Sequence, residues 1–485
     1  MSFIKLLTNI LASAFLASVV AMAACGGSPP ATTTAPQSVS TPPISPTTDS
    51  PTPATDDAAK PTPATTATGP TAKETLDWLI AKLNAGANLT EVEVKQRFTP
   101  QFLAKVPPAR LIAVYEDIKK GLPPISITKS KGNAPLELNA LLKTQQGPVR
   151  AMIGMTNESP RMIHTLLFQP ASDDAPPTSY GEVVLALQKA GSDNSFFVAE
   201  LKNGRCTPAH NHNVKTSLAI GSAFKLWVLH ALDRKLAKSK ATTWETKLAI
   251  NDADKSLPSG VMQNEPAGKQ FTLREFATQM ISISDNSATD HLISYIGRKK
   301  VERALRSANH SAPAKNTPFM RTRELFALKL LATDAEIAAF RKANVRKKRK
   351  LLDDLRSREL KLNPSMEWNK PKMLDIEWFA DGADLCNVMA ALAKDGKYDP
   401  SSDVLRVLGT NPGVPFDKAQ WKYMGFKGGS EPGVINLTFL AQRNDDRWFV
   451  VTMTVNDSTK ALNEAAIANA AVGALKVLGA EKVEK

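Results

Sequence analysis

The chain has 485 residues, more than one typical domain holds, so two folded domains with additional segments are the natural expectation. Hydrophobic residues make up 42%, enough to build real cores, and cysteine usage is sparse, with three in all. Lys and Arg number 61 against 47 acidic residues, a formal net charge of +14. That balance suits an anionic surface such as lipid headgroups or cell-wall polymer, and is not by itself a nucleic-acid signature.

Residues 1–25 read as an export signal. Lys5 is the only charge ahead of an apolar run from Leu6 to Ala24. The run ends Ala21-Met22-Ala23-Ala24-Cys25, small residues before a cysteine that resemble a bacterial lipoprotein lipobox, with Met22 in place of the usual leucine. On that reading Cys25 becomes the lipid-modified first residue of an exported, membrane-anchored lipoprotein, in the periplasm or on the outer cell surface. An ordinary signal peptide cleaved after a small residue is the rival. Thr8, Asn9 and Ser13 interrupt the run and argue against a transmembrane helix. Residues 26–72 are rich in Pro, Thr, Ala and Ser and lack the apolar residues a core needs. Their prolines favour an extended, semi-stiff tether.

A first folded domain is expected over 73–172. Thr75 to Asn84 is an amphipathic helix with Leu76, Trp78, Leu79, Ile80 and Leu83 apolar, and Ala109 to Lys120 is a second helical patch. The period then changes. Leu136 to Leu142 alternates as a strand does, Gln146-Gly147 signals a turn, and Val149 to Met155 and Met162 to Phe168 read as two further strands. Helices before an antiparallel meander give a small α+β domain, whose element order resembles the cone-shaped fold of nuclear transport factor 2 and steroid isomerases. No convergent polar set marks a pocket there, so a packing or partner-binding role is the plain reading.

The second domain spans 176–485. Ser179 to Gly191 reads as a helix, Ser195 to Leu201 as a strand, and Thr216 to Gly221 leads into Gly221-Ser222-Ala223-Phe224-Lys225, where an apolar helix begins. The i, i+3 spacing puts the Lys225 amine over the Ser222 hydroxyl, an arrangement that activates a weak nucleophile. By itself S-x-x-K is a weak signal. Phe271 to Met280 is a further helix with Thr272 and Glu275 as a capping box, and it runs into Ser284-Asp285-Asn286. Near the C-terminus comes Lys427-Gly428-Gly429-Ser430, followed by a hairpin of Val434 to Gln442 and Arg447 to Val455.

S-x-x-K, S-D-N and a lysine-glycine motif, in that order, resemble the penicillin-recognising serine hydrolases, especially class A β-lactamases. Ser284 lies 62 positions after Ser222, a gap that suits the family. The resemblance covers roughly 180–470. It implies an α+β fold with a five-stranded antiparallel sheet flanked by helices, beside an all-helical lobe, with a groove between. It also implies roles. Ser222 attacks a carbonyl; Lys225 takes its proton; Lys427 depresses the Lys225 pKa and attracts a substrate carboxylate. Ser284 relays the proton, Asn286 and Gly429 with Ser430 contact substrate, and the N–H groups of Ser222 and Ser430 form the oxyanion hole.

Two departures stand out. The third motif has Gly428 where the family has a hydroxyl, with Ser430 as a possible substitute. The second is expected at the glutamate that positions the deacylating water in class A β-lactamases. Glu324 falls at about the right distance, although exposed helix-surface glutamate is the plainer reading; Glu367 and Glu377 are weaker candidates. An insertion over roughly 318–378 holds a basic run, Arg341 to Lys350, read as a solvated helical excursion or a contact with anionic lipid. The two-domain order and both departures resemble the hydrolase-like lipoprotein of clavulanic acid gene clusters more than a resistance enzyme.

The expectation is therefore an anchored serine hydrolase acting on a small-molecule or peptidoglycan-like acyl substrate, with no cofactor, no metal and no nucleic acid. A true class A β-lactamase, a peptidase on peptidoglycan stems, and a non-catalytic envelope lipoprotein used as a binding module are the alternatives. His210 and His212 lack further ligands at metal spacing and read as a surface loop. Cys206 and Cys386 are free to pair in an exported protein, but spacing does not say whether they are close.

Overall fold

A computed structural model of the protein describes residues 68–132, 135–172, 174–257, 259–360 and 370–481. The apolar run, Cys25, most of the tether and Glu367 lie outside the described residues.

The first unit runs α1 (Ala72–Asn84), α2 (Glu91–Arg97), α3 (Pro100–Lys105) and α4 (Pro108–Gly121), then β1 (Ser126–Lys131), β2 (Glu137–Thr144), β3 (Gly147–Met155) and β4 (Ile163–Pro170). The strands form an antiparallel sheet in chain order. Thr71 starts α1 through a capping box: its hydroxyl accepts from Glu74 N–H, and the Glu74 carboxylate accepts from Thr71 N–H at 2.8 Å. Leu76, Leu79, Ile80 and Leu83 recur at helical spacing and share a core with Leu142 and Ile153 of the sheet. Sequence periodicity does not disclose β1, Ser-Ile-Thr-Lys-Ser-Lys. It is an edge strand with five of its six residues exposed, so no buried face imposes alternation.

The second unit opens with α5 (Tyr180–Ala190), β5 (Asp193–Lys202), β6 (Arg205–His212) and β7 (Leu218–Ala219). A 3₁₀ turn, Gly221–Phe224, leads into α6 (Lys225–Ala237). Then come β8 (Lys247–Ala249), β9 (Gln270–Thr272), α7 (Leu273–Ser282), α8 (Asn286–Ile296), α9 (Arg298–Ser307), α10 (Thr322–Leu330), α11 (Asp334–Lys342), α12 (Val345–Arg356), β10 (Phe379–Ala380), α13 (Gly382–Asp395) and α14 (Asp403–Leu408). The chain closes with β11 (Trp421–Glu431), β12 (Val434–Arg443), β13 (Trp448–Asn456) and α15 (Glu464–Ala480).

The main sheet has five antiparallel strands in the order β11-β12-β13-β5-β6. Strands from the two ends of the unit build it, and the chain between them supplies the helical lobe. Alternation along each strand gives the sheet two apolar faces. Val183, Leu187, Phe439, Val451, Ile467 and Leu475 pack α5 and α15 on one face. Phe197, Ala199, Leu440 and Val450 belong on the other to the same core as Leu229 of α6 and Leu385 of α13. Among the described residues the insertion holds three helices, α10, α11 and α12.

His210 and His212 lie in a strand rather than a loop. Both belong to β6, the sheet edge. His210 packs against the rings of Tyr180 and Phe196 at 5.0 and 5.3 Å, and His212 Nε2 is 3.0 Å from Asn194 Oδ1. The same strand carries Cys206, which is bonded to Cys386 of α13, with the Cα atoms 6.3 Å apart. This disulfide ties the sheet edge to the helix behind it across 180 residues of sequence. Closing so long a loop restricts the unfolded chain, and losing such a bond costs about 2–4 kcal/mol. Urea unfolding of Cys386→Ser is therefore expected to show a lower midpoint than the oxidised protein. Coincident midpoints would show that the bond adds nothing.

Candidate active site

Ser222 is the second residue of the 3₁₀ turn, and Lys225 opens α6. Gly221 takes φ of +48°, a left-handed conformation that favours glycine. The turn is held on three sides. Asn456, the last residue of β13, exchanges two hydrogen bonds of 2.9 Å with the backbone of Ala219. Ile220 N–H donates to Trp378 O at 3.0 Å, and the Trp378 ring stacks on Phe224 with centroids 3.7 Å apart. On the third side β11 passes so close that a Cβ on Gly429 would lie 2.5 Å from Ser222 N and 2.7 Å from Ala223 N. Only glycine fits there. Ala223 N–H bonds Ile220 O at 3.2 Å, so the Ser222 N–H lies ahead of the turn's first hydrogen bond, where helix-start donors are left over. Ser222, Ser284 and Ser430 are half-buried, whereas Lys225 and Lys427 are buried.

The two lysines meet at one hydroxyl. Lys225 Nζ lies 3.0 Å from Ser284 Oγ, and Lys427 Nζ lies 3.1 Å from the same atom. Lys225 also donates to Ser284 O at 2.6 Å and Asn286 Oδ1 at 2.8 Å; Lys427 donates to Gly428 O at 2.5 Å. Burial pushes the Lys225 amine down to about 7, against the pull of Asp285 and Asp290. Burial, and then the charge of Lys225, holds Lys427 well below the ordinary lysine range. A hydroxyl between a charged and a neutral amine accepts from one and donates to the other. The Lys225–Ser284–Lys427 line is thus built to move a proton.

This corrects one expectation. Among the described residues Lys225 makes no hydrogen bond to Ser222, because its amine is turned to the Ser284–Asn286 loop. Asn286, expected at the substrate, also has partners within the protein. It is buried, its Oδ1 holds Lys225, and its Nδ2 donates to Leu257 O at 3.1 Å. Its amide positions the lysine. Between these residues sits Asp285, to which sequence assigned no role. The buried Asp285 carboxylate accepts from Val261, Met262 and Ala288 N–H at 2.6–2.9 Å, pinning the preceding loop to the start of α8. Ser284 itself is held at φ of +58°, unusual for a residue with a side chain.

A Cβ on Gly428 would lie 2.8 Å from the tip of the Phe426 ring and 3.3 Å from Asn436 O, so a side chain there requires the ring to shift. Glu324 is a second correction. It is buried rather than exposed, and Arg298 and Arg321 engage both its oxygens. Arg321 N–H completes the set at 2.8 Å. Among the described residues Glu324 makes no hydrogen bond to Ser222, Lys225 or Ser284, so it is not placed as a base for deacylation. The Glu-x-x-Leu-Asn stretch of the family pattern stands instead at Glu359-Leu360-Lys361-Leu362-Asn363, of which Lys361 to Asn363 lie outside the described residues.

Glu377 belongs to a different cluster. Lys329 Nζ lies 2.5 Å from Glu377 and 2.6 Å from Glu431, and Lys329 and Glu377 are fully buried. Burial and the Glu377 charge drive the Glu431 carboxyl well above the usual range, against the pull of Lys329. Two carboxyls facing one ammonium retain a proton. Glu431 ends β11 directly after Ser430, and Glu377 precedes Trp378. The cluster therefore ties α10 to both walls of the Ser222 turn. A lysine inside the apolar run Leu325 to Leu331 is the sequence signal that would have flagged it.

Residues 182–367 match the model of the beta-lactamase enzyme family. Over that stretch the second unit resembles the beta-lactamase enzyme family. The matched stretch holds the Ser222 turn, Lys225 and the Ser284–Asn286 loop, and ends before β11. No relative was found among curated protein sequences. Among solved structures, the chain is similar to a β-lactamase from Sphaerobacter thermophilus at 18% identity and a TM-score of 0.42, over 62% of this chain and 96% of that one. It is similar to a β-lactamase from Chitinophaga pinensis at 14% identity and 0.42, over 62% and 99%. For PBP-A the figures are 14% and 0.40, over 63% and 98%.

In this β-lactamase-like unit, Lys329→Met would leave two buried carboxyls without their cation. Removing one member of a buried ion cluster costs about 3–5 kcal/mol. Chemical denaturation is expected to show that loss, with partial recovery when Glu377→Gln is added. An unchanged midpoint for Lys329→Met would mean that the cluster does not brace the site.

Proposed function

We propose that the β-lactamase-like unit is a serine hydrolase that transfers the acyl group of an amide, ester or β-lactam to Ser222. The observation that carries this reading is the pair of buried amines joined through Ser284 beside a half-exposed serine on a pinned turn. In acylation, Ser222 Oγ bonds to the carbonyl carbon and its proton passes to the neutral amine of the lysine pair. The carbonyl oxygen becomes an oxyanion between the N–H groups of Ser222 and Ser430, donors that typically contribute about 3 kcal/mol each. Collapse breaks the bond to the leaving nitrogen or oxygen, which takes its proton from Ser284 as the lysine pair resupplies it. Water then cleaves the Ser222 ester. Glu324 is committed to two arginines and does not activate this water. A small-molecule or peptidoglycan-like substrate, export, and lipid anchoring at Cys25 belong to the same proposal and rest on the sequence.

Intact-mass analysis tests it. The full chain incubated with a fluorescent penicillin, an activated ester or a fluorophosphonate is expected to gain one adduct, absent in Ser222→Ala. The base must be neutral to accept a proton. Because Lys225 is pushed down to about 7, the labelling rate rises with pH through that value and levels off above it. A folded protein that resists all three probes would sink the enzyme reading.

Ser284→Gly separates backbone from chemistry. Glycine tolerates the left-handed conformation, so the variant is expected to unfold at no lower midpoint than wild type. It is expected to lose about 10²–10⁴ in labelling rate, the usual worth of a positioned proton donor. Undiminished labelling would remove Ser284 from the proton path.

A further inference from the structure

The basic run of the insertion has a neighbour that sequence does not reveal. Arg349 of α12 reaches both carboxylate oxygens of Glu302 in α9 at 2.7 Å, so the two helices lie side by side. Between them is an open groove of about 650 Å³, lined by Lys299, Val345, Arg346, Arg349, Lys350 and Asp353. Val301 and Leu305 of α9 and Leu352 and Leu355 of α12 are buried, which fixes the helices with their cations outward.

Glu302 neutralises Arg349. The other cations of the groove are exposed, and among the described residues Lys299, Arg346 and Lys350 have no acid within ion-pair distance. Lys300, Arg303 and Lys347, exposed and without an ion-pair partner among the described residues, extend the same charge along the two helices. Like charges gathered this closely repel one another and raise the local potential, which an anionic partner relieves. Val345, 41% exposed at the groove, adds an apolar side chain among the cations. Cations flanking an apolar residue on a helix fit a lipid interface better than a fully hydrated polyanion.

We infer that this face of α9 and α12 docks on an anionic phospholipid surface, with Lys299, Arg346 and Lys350 at headgroup phosphates and Val345 at the acyl boundary. The inference depends neither on Ser222 chemistry nor on lipidation of Cys25.

Co-sedimentation of the full chain with vesicles tests it, comparing phosphatidylcholine alone with mixtures containing phosphatidylglycerol. Any binding through the N-terminal apolar run occurs with both, so the readout is the preference for phosphatidylglycerol. The wild type is expected to show that preference, to lose it as salt rises, and to lose about fivefold for each cation removed. The combined Lys299→Glu, Arg346→Glu and Lys350→Glu variant is then expected to bind both vesicles alike. A control with Lys129→Glu, Lys131→Glu and Lys143→Glu on the first unit carries the same charge change and is expected to keep the preference. No preference in the wild type, retention by the groove variant, or equal loss in the control would overturn the inference. So would binding of a soluble polyphosphate to this face without binding to vesicles.

Discussion

Two amines buried within reach of one hydroxyl are the constraint on which the rest of the second unit depends. A fully buried ammonium without a partner is too costly to keep, so burial favours the neutral amine unless hydrogen bonds and nearby charge hold the proton. Lys225 and Lys427 are placed at that balance. Carbonyl and amide oxygens from Ser284, Asn286 and Gly428 satisfy their donors, while Asp285 and Asp290 supply negative charge at one remove. The Ser284–Asn286 loop must keep its shape for this to hold. The three backbone hydrogen bonds of Asp285 and the left-handed turn at Ser284 are the means.

One strand brings the remaining parts to the same place. Along β11, Lys427 supplies the second amine, Gly429 lets the strand touch the nucleophile turn, Ser430 offers its N–H, and Glu431 ends in the buried cluster with Lys329 and Glu377. Trp378 presses on the turn from the other side. Backbone donors that must face a developing oxyanion gain most when they cannot relax away from it. Gripping the turn between β11, Trp378 and Asn456 provides that rigidity.

The insertion changes the character of the site. Glu324 is buried and paired with Arg298 and Arg321. Its helix instead contributes Lys329 to the brace beneath Ser430. The Phe426 ring lies against Gly428, where the third motif departs from the family pattern.

Sequence by itself disclosed α1, α4, α5, α7, β2 to β5, β12 and β13, because alternation or helical spacing shows in their apolar residues, but not α8 or α13 to α15, whose buried faces it did not read. It also determined the identity of Ser222, Lys225, Ser284, Asn286 and Lys427 as candidates, since each sits in a short motif with local geometry. It missed β1, whose exposed edge demands no pattern. It misjudged His210 and His212, whose strand is an edge one. Only tertiary structure decided that Lys225 turns to Ser284 instead of Ser222, that Glu324 is locked away, that Cys206 meets Cys386, and that Lys329, Glu377 and Glu431 form one cluster. These are choices of partner among residues tens to hundreds of positions apart. Local spacing carries no information about which of several equally charged or polar groups the fold brings within 3 Å, and that selection is made by packing.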